Sequence, residues 1–196
     1  VKFVLPEKSL LKPELERFGV SVIEVSGISD KSLDLKSVSS LKKIFKEEKP
    51  DLVHAHASMS ARIAAKFSKI KVIYTRHSVF EPSPKISKGL GKLINGAVNN
   101  YFSDGIIAVA EAAKDNLVKT GVSENKIKVI LNGADALKPL GFDEKQKQRR
   151  RFSVGNDCVI SIIARLEDIK GHEYFIEAAR LLLEKGVKAK FIIAGT

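Results

Sequence analysis

Short runs of β-branched and aliphatic residues alternate along this chain with longer stretches in which apolar positions recur every three or four residues. The runs cover residues 2–5, 20–25, 52–54, 72–75, 106–109 and 127–131, and after a break 159–164 and 190–194. Strands alternating with helices in this way form βαβ units, so the expected class is α/β with a parallel sheet. Val38, Leu41, Ile44 and Phe45 predict a crossover helix that stops at Lys49-Pro50, because proline disfavours helical geometry in the residue before it. Ala61, Ala64, Ala65 and Phe67 predict another, with small residues suited to close packing on a sheet. From Lys85 to Phe102, Ile86, Leu90, Leu93, Ile94, Ala97, Val98, Tyr101 and Phe102 share one face and Lys85, Lys88 and Lys92 lie elsewhere. That pattern suits a basic helix resting on an anionic membrane, and equally a helix covering a sheet. Its place between two strands favours ordinary packing.

Residues 139–156 interrupt the alternation. They show little hydrophobic periodicity, carry Lys145, Lys147, Arg149, Arg150 and Arg151, and separate six strand candidates from two. The expected organisation is therefore one domain over 1–138, a linker and boundary over 139–156, and the start of a second domain over 157–196. The basic run could contact nucleic acid, but it has no interleaved aromatics and no companion motif, which favours a solvated linker or helix.

Composition narrows the partners more than the fold. Hydrophobic residues make up 44% of the chain and charged residues 29%, an ordinary globular balance, with a formal net charge of +11 that favours anionic ligands or surfaces. The single cysteine, Cys158, forms no internal disulfide. It sits in an apolar run that predicts a packing or edge thiol, and a reducing cytoplasm is the natural setting. No run has the length of a signal peptide core or a membrane span. The chain begins without Met and finishes in Phe191-Ile192-Ile193-Ala194-Gly195-Thr196, a strand running into a glycine turn, so both ends read as cut.

In parallel α/β sheets ligands bind beyond the carboxyl ends of the strands. Three such places hold polar residues: Arg76-His77-Ser78, Asn132-Gly133-Ala134-Asp135, and the stretch from Ala164 through Arg165 to Lys170-Gly171-His172. The last precedes a predicted helix with an inner face of Phe175, Ile176, Ala179, Leu182 and Leu183 and a C-terminal Gly186. Two cations meeting a helix N-terminus suit a diphosphate. The same cations could instead pair with Glu167 and Asp168 at the surface. His54 and His56, at i and i+2, lie on one strand face and could ligate a metal, but no further ligand cluster completes a site.

The ordered set Asp51-Leu52-Val53-His54-Ala55-His56, Thr75-Arg76-His77, Gly105 to Ala110, Val129 to Asp135, and Val159 to Leu166 followed by Lys170-Gly171 resembles the GT4 family of retaining glycosyltransferases, of the GT-B fold. The resemblance spans essentially the whole chain. It implies a Rossmann-like parallel sheet with flanking helices on the acceptor side, then the first βαβ of a second Rossmann-like domain for the donor. It further implies that Arg165, Lys170 and Gly171 hold the diphosphate of a nucleotide-sugar donor. His77 would be the catalytic-site histidine beside the donor sugar, and His56, Asn132 and Gly133 would line the cleft. No metal and no cofactor beyond the nucleotide-sugar co-substrate is implied.

Departures from the family pattern are Ala110 in place of a helix-capping serine and Ala164 in place of glycine. The family's glycine-rich loop after its first strand is missing, and its acidic E-x7-E segment would lie beyond Thr196, so the fragment alone is expected to be inactive. The parent is expected to transfer a sugar with retention to a saccharide or lipid-linked acceptor in cell-envelope polysaccharide or glycolipid synthesis. It would work in the cytoplasm, with peripheral contact to an anionic membrane. The competing readings are a nucleotide-sugar epimerase of the same fold and a non-catalytic module that binds nucleic acid through its basic linker.

Overall fold

The computed structural model describes residues 1–26, 32–79 and 81–195. The chain divides into two compact units, Val1–Ala134 and Asp135–Thr196; the terminal Thr196 of the expected glycine turn lies outside the described residues.

The first unit runs β1 (Lys2–Pro6), α1 (Lys12–Arg17), β2 (Ser21–Val25), α2 (Leu35–Glu48), β3 (Leu52–His56), α3 (Met59–Phe67), β4 (Lys71–Arg76), α4 (Pro84–Ser87), α5 (Gly89–Tyr101), β5 (Gly105–Ala108), α6 (Glu111–Lys119) and β6 (Ile127–Val129). Strands β1 and β2 pair in parallel, and β3-β4-β5-β6 form a four-stranded parallel sheet in sequence order. Parallel neighbours require crossovers, which the intervening helices supply. The α/β class and the strand positions are as expected, except that β6 ends at Val129, before Ile130 and Leu131.

Local chemistry sets the element ends. Asp34 caps α2 by accepting from the Ser37 amide at 2.7 Å, and Lys49 closes it in the left-handed region at φ 47 before Pro50. Ser58 caps α3 by accepting from the Ala61 amide at 3.2 Å, whereas Ala110 supplies no cap to α6. The core gathers Val38, Leu41 and Phe45 of α2 with Ala64 and Ala65 of α3 and Val72 of β4. A second cluster joins Tyr74, Ile106 and Ala108 to Ala113 and Leu117 of α6. Asp104 ties the strand starts together: its carboxylate accepts from the Val72 amide at 2.9 Å, and its own amide donates to the Val72 carbonyl at the same distance.

The stretch from Lys85 to Phe102 departs from expectation twice. It is broken at Lys88 and Gly89, where φ turns to +53, into α4 and α5. The apolar face of α5 also points outward. Its inward face is Asn95, Gly96 and Asn99: the Asn95 Nδ2 donates to the Thr120 carbonyl at 2.7 Å, and Asn99 Oδ1 accepts from Arg62 Nη1 at 3.1 Å. Arg62, only 3% exposed, also donates to the Asn99 and Phe102 carbonyls and lies 4.5 Å from the Tyr74 ring centroid. Helix and neighbour touch at Gly96, where an added Cβ would lie 2.1 Å from the Gly121 carbonyl oxygen. Hydrogen bonding, rather than hydrocarbon burial, holds this helix to its domain.

In the second unit, α7 (Phe142–Arg151) lies within the stretch expected as linker, followed by β7 (Cys158–Ile163), α8 (His172–Glu184) and β8 (Ala189–Ala194), with β7 and β8 parallel. Arg149 of α7 bends back to donate to the carbonyls of Gly155 and Asp157. Cys158 is exposed at the start of β7 rather than packed. The inner stripe of α8 is His172, Phe175, Ala179 and Leu182, while Ile176 and Leu183 are exposed, against expectation. Phe175 meets Phe191 of β8 edge to face, with ring centroids 6.0 Å apart.

Candidate functional site

The candidate residues fall in both units. His56, His77, Asn132 and Gly133 belong to the first; Arg165, Lys170 and Gly171 belong to the second.

In the first unit β3 and β4 run side by side with His56 in register with Thr75. Residues at i and i+2 of a strand share a face, and His54 and His56 accordingly lie side by side, ring centroids 4.4 Å apart and planes tilted by 34°. His77, just past the end of β4, stacks on His56 at 5.0 Å, and His56 Nδ1 lies 2.7 Å from His77 Nε2. In the neutral pair one of these nitrogens donates and the other accepts. His54 Nε2 is hydrogen-bonded to Thr75 Oγ1 at 2.6 Å. The result is a row of three imidazoles along the carboxyl ends of two strands, of which the sequence pattern indicated only the His54–His56 half. Residue 77 lies 21 positions from residue 56, and no local periodicity joins them.

Burial of part of the His56 ring, followed by the charges that His54 and His77 would carry, holds its pKa below the ordinary histidine value. The exposed parts of the same rings remain open to hydrogen bonding. Among the described residues no group of three or more His, Cys, Asp or Glu side chains is arranged to hold a metal ion. Arg76, between Thr75 and His77, is committed to the Ser78 carbonyl at 2.8 Å and the Tyr74 hydroxyl at 3.4 Å. Asn132 and Gly133 are exposed in the segment after β6, and a Cβ at Gly133 would meet nothing within 4 Å. Packing therefore does not require glycine there.

In the second unit the chain leaves β7 through Arg165, passes a single 3-10 turn at Asp168–Lys170, and enters α8 at Gly171. Gly171 stands at φ +69, a conformation costly for other residues, and an added Cβ would press on the Tyr174 ring at 3.2 Å. Gly171 offers no side-chain cap, so the first amides of α8 keep their donors open to a ligand. Arg165 Nη1 pairs with Glu167 Oε1 at 2.6 Å, and both side chains are substantially exposed. Half of the expected surface pairing is thus present, and for Arg165 to grip an anion it must leave Glu167. Lys170 has no ion-pair partner among the described residues. A shallow depression beside it is lined by Leu166, Glu167, Asp168, His172 and Glu173. His172 had no assigned role in the sequence; its Nε2 is buried without a hydrogen-bond partner among the described residues. Its i, i+3, i+7 relation to Phe175 and Ala179 is the signal that could have placed it on the inner stripe.

Comparison with known proteins bears on the family and the fold. Residues 1–136 match the family model described as Glycosyltransferase Family 4. The UDP-Gal:alpha-D-GlcNAc-diphosphoundecaprenol alpha-1,3-galactosyltransferase of Escherichia coli is 31% identical over 172 residues, 83% of this chain and 44% of its own length. The capsular polysaccharide biosynthesis glycosyltransferase CapM of Staphylococcus aureus is 24% identical over 83% of this chain and 45% of its own length. A UDP-N-acetylglucosamine 2-epimerase of Methanocaldococcus jannaschii is 26% identical over 70% of this chain and 39% of its own length. Among solved structures, Anabaena HepE in complex with UDP-glucose superposes with a TM-score of 0.67 at 18% identity, over 98% of this chain and 61% of that one, a likeness of fold. The chain spans less than half the length of these curated relatives. With the family model matched over residues 1–136, more than half of its length, the chain belongs to glycosyltransferase family 4.

Proposed function

We propose that the full-length protein transfers a sugar from a nucleoside-diphosphate donor to a saccharide or lipid-linked acceptor with retention of configuration. The carrying observation is the placement of Arg165 before, and Lys170 at the end of, the turn into α8, whose first amides lack a side-chain cap. A diphosphate leaving group accumulates negative charge as the glycosidic bond breaks. A guanidinium, an ammonium and helix amides can stabilise it without a metal. His77 hydrogen-bonds the donor sugar or its phosphate, and His56 sets the orientation and hydrogen-bonding state of His77. The E. coli and S. aureus relatives, whose names record a lipid-diphosphate acceptor and capsule biosynthesis, support a role in cell-envelope assembly. HepE, solved with UDP-glucose, supports a nucleotide-sugar donor.

The test is donor binding and transfer by the full-length protein and by its Arg165→Ala and Lys170→Ala variants. Wild-type affinity and turnover in both variants would overturn the assignment. The epimerase relative favours a second reading, in which the donor alone is converted and a free altered sugar released. Product analysis with and without acceptor separates the two. The nucleic-acid reading loses ground because Arg149, one of its three arginines, is engaged by the Gly155 and Asp157 carbonyls.

A further inference from the structure

We infer that Arg76 is a positioning residue for His77: its guanidinium closes the turn that carries the histidine and fixes the ring against His56. Arg76 is the last residue of β4 and stands in register with Ala108 of β5. Its Nε donates to the Ser78 carbonyl at 2.8 Å, so the side chain bridges from one side of His77 to the other. That closed ring leaves the backbone of residue 77 little freedom, although His77 and Ser78 are exposed and lie beyond the last strand pairing. Strand alternation puts Thr75 and His77 on the face that carries the His56 ring, and Tyr74 and Arg76 on the other.

The anchor on that second face is rigid. Arg76 Nη1 reaches the Tyr74 hydroxyl and Nη2 reaches Asn116 Oδ1, each at 3.4 Å. Tyr74 is 5% exposed within the cluster that includes Ala113 and Leu117, and the Arg62 guanidinium lies 4.5 Å from its ring centroid. Asn116 belongs to α6 and is 8% exposed. The Arg76 carbonyl also accepts from the Val109 amide at 3.4 Å, which ties the end of β4 to the residue after β5. Packed core thus holds two of the guanidinium's contacts, and the third holds the turn. Three acceptors in separate directions suit a planar fork, and an ammonium on a flexible stem does not reproduce the set. A histidine on an exposed turn would otherwise sample several positions, whereas the 2.7 Å contact of His77 Nε2 with His56 Nδ1 requires one. The inference rests on the proposed role of His77, but the clamp can be read without any reaction.

The test uses the full-length protein with its histidines labelled with 15N, at about pH 8. The His77 Nε2 resonance reports the contact: His56→Gln should move it in the otherwise wild-type chain and leave it in place in Arg76→Lys and Arg76→Gln chains, where the contact is already lost. Tyr74→Phe, which removes one anchor and keeps the ring packed, should give a smaller loss. UDP release from UDP-glucose, UDP-galactose or UDP-N-acetylglucosamine supplies the second readout. Both Arg76 variants should lower kcat about 10–100-fold at an unchanged KM for the sugar nucleotide, the pattern of a misplaced group rather than a lost ligand contact. A His77 resonance that still responds to His56→Gln in both Arg76 variants overturns the inference. So does full kcat in Arg76→Lys alone, which would show that charge matters and the fork does not, or a raised KM with kcat kept, which would show Arg76 touching the donor. If both Arg76 variants fail to fold, Tyr74→Phe decides, and a wild-type response there overturns the clamp. Loss of the response in the Arg76 variants, with no turnover of any of the three sugar nucleotides by the wild type, removes the proposed function and keeps the clamp. Turnover with the response retained removes the clamp alone.

Discussion

His56 Nδ1 and His77 Nε2 lie 2.7 Å apart, joining the end of β3 to the residue that follows β4. The neutral pair shares one hydrogen, and a singly protonated pair still has one to share. Two protons leave two donors face to face, and the contact is lost.

That geometry gives a pH dependence with a definite sign. The pKa of His56 is held below its ordinary value of about 6.5 in the folded chain, first by burial and then by His54 and His77. The unfolded chain therefore takes up the proton more readily. The contribution to stability is fully present above about pH 6.5 and is lost as pH falls from there through the lower folded pKa. Urea midpoints measured from pH 8 down to pH 5 should decline over that window, and His56→Gln should flatten the decline. An NMR titration of His56 at or above the ordinary value would refute the assignment.

Asp104→Ala should destabilise the first unit by about 1–3 kcal/mol, the cost of removing a charged acceptor from the Val72 amide. Burial opposes ionisation of this carboxyl, but the Val72 amide and Lys66 outweigh it and keep its pKa below the ordinary value. The stabilisation is present above the unfolded pKa and is lost as pH falls through the folded one. Chemical denaturation at neutral pH, repeated in acid, reads both effects; equal losses at both pH values would contradict it.

Gly96→Ala should cost about 1–3 kcal/mol by overpacking, because the methyl would lie 2.1 Å from the Gly121 carbonyl oxygen and both neighbours are backbone. A matched Gly133→Ala change, which meets open space, should leave the melting temperature nearly unchanged.

Arg62→Lys should destabilise by about 1–3 kcal/mol, since an ammonium cannot reproduce the fork that reaches Asn99 Oδ1 and the Asn99 and Phe102 carbonyls together. Thermal unfolding of the purified variant measures it, and an unchanged midpoint would show that these contacts contribute little.

In the full-length protein, Arg165→Ala or Lys170→Ala should lower the transfer rate by about 2–4 kcal/mol of transition-state stabilisation, if a preorganised contact to the leaving diphosphate is removed. Releasing Arg165 by Glu167→Gln should instead tighten donor binding, because the 2.6 Å pair no longer competes. Steady-state kinetics and calorimetry distinguish these directions.

The strands were legible because a buried parallel strand must be a short unbroken apolar run, as at Val72 to Thr75 and Ile106 to Ala108, and such runs have few other uses in a soluble chain. The turn at Gly171 was legible in the same local way, since the cations, the glycine and the helix lie within a few residues. The sequence also carried the apolar periodicity of α5. Periodicity says that a helix has a face and cannot say what that face meets. Which side turned inward was decided by Arg62, Thr120 and Gly121, distant in sequence, whose hydrogen bonds and backbone contact outweigh the hydrocarbon on the other side. His77 likewise acquired its partner only when β3 and β4 paired in register. The sequence by itself determined the elements, their order and the cationic turn into α8, because these depend on neighbours along the chain. Only the tertiary structure decided the histidine row, the capture of Arg165 by Glu167 and the outward face of α5, because each depends on residues or alternatives that compete in space.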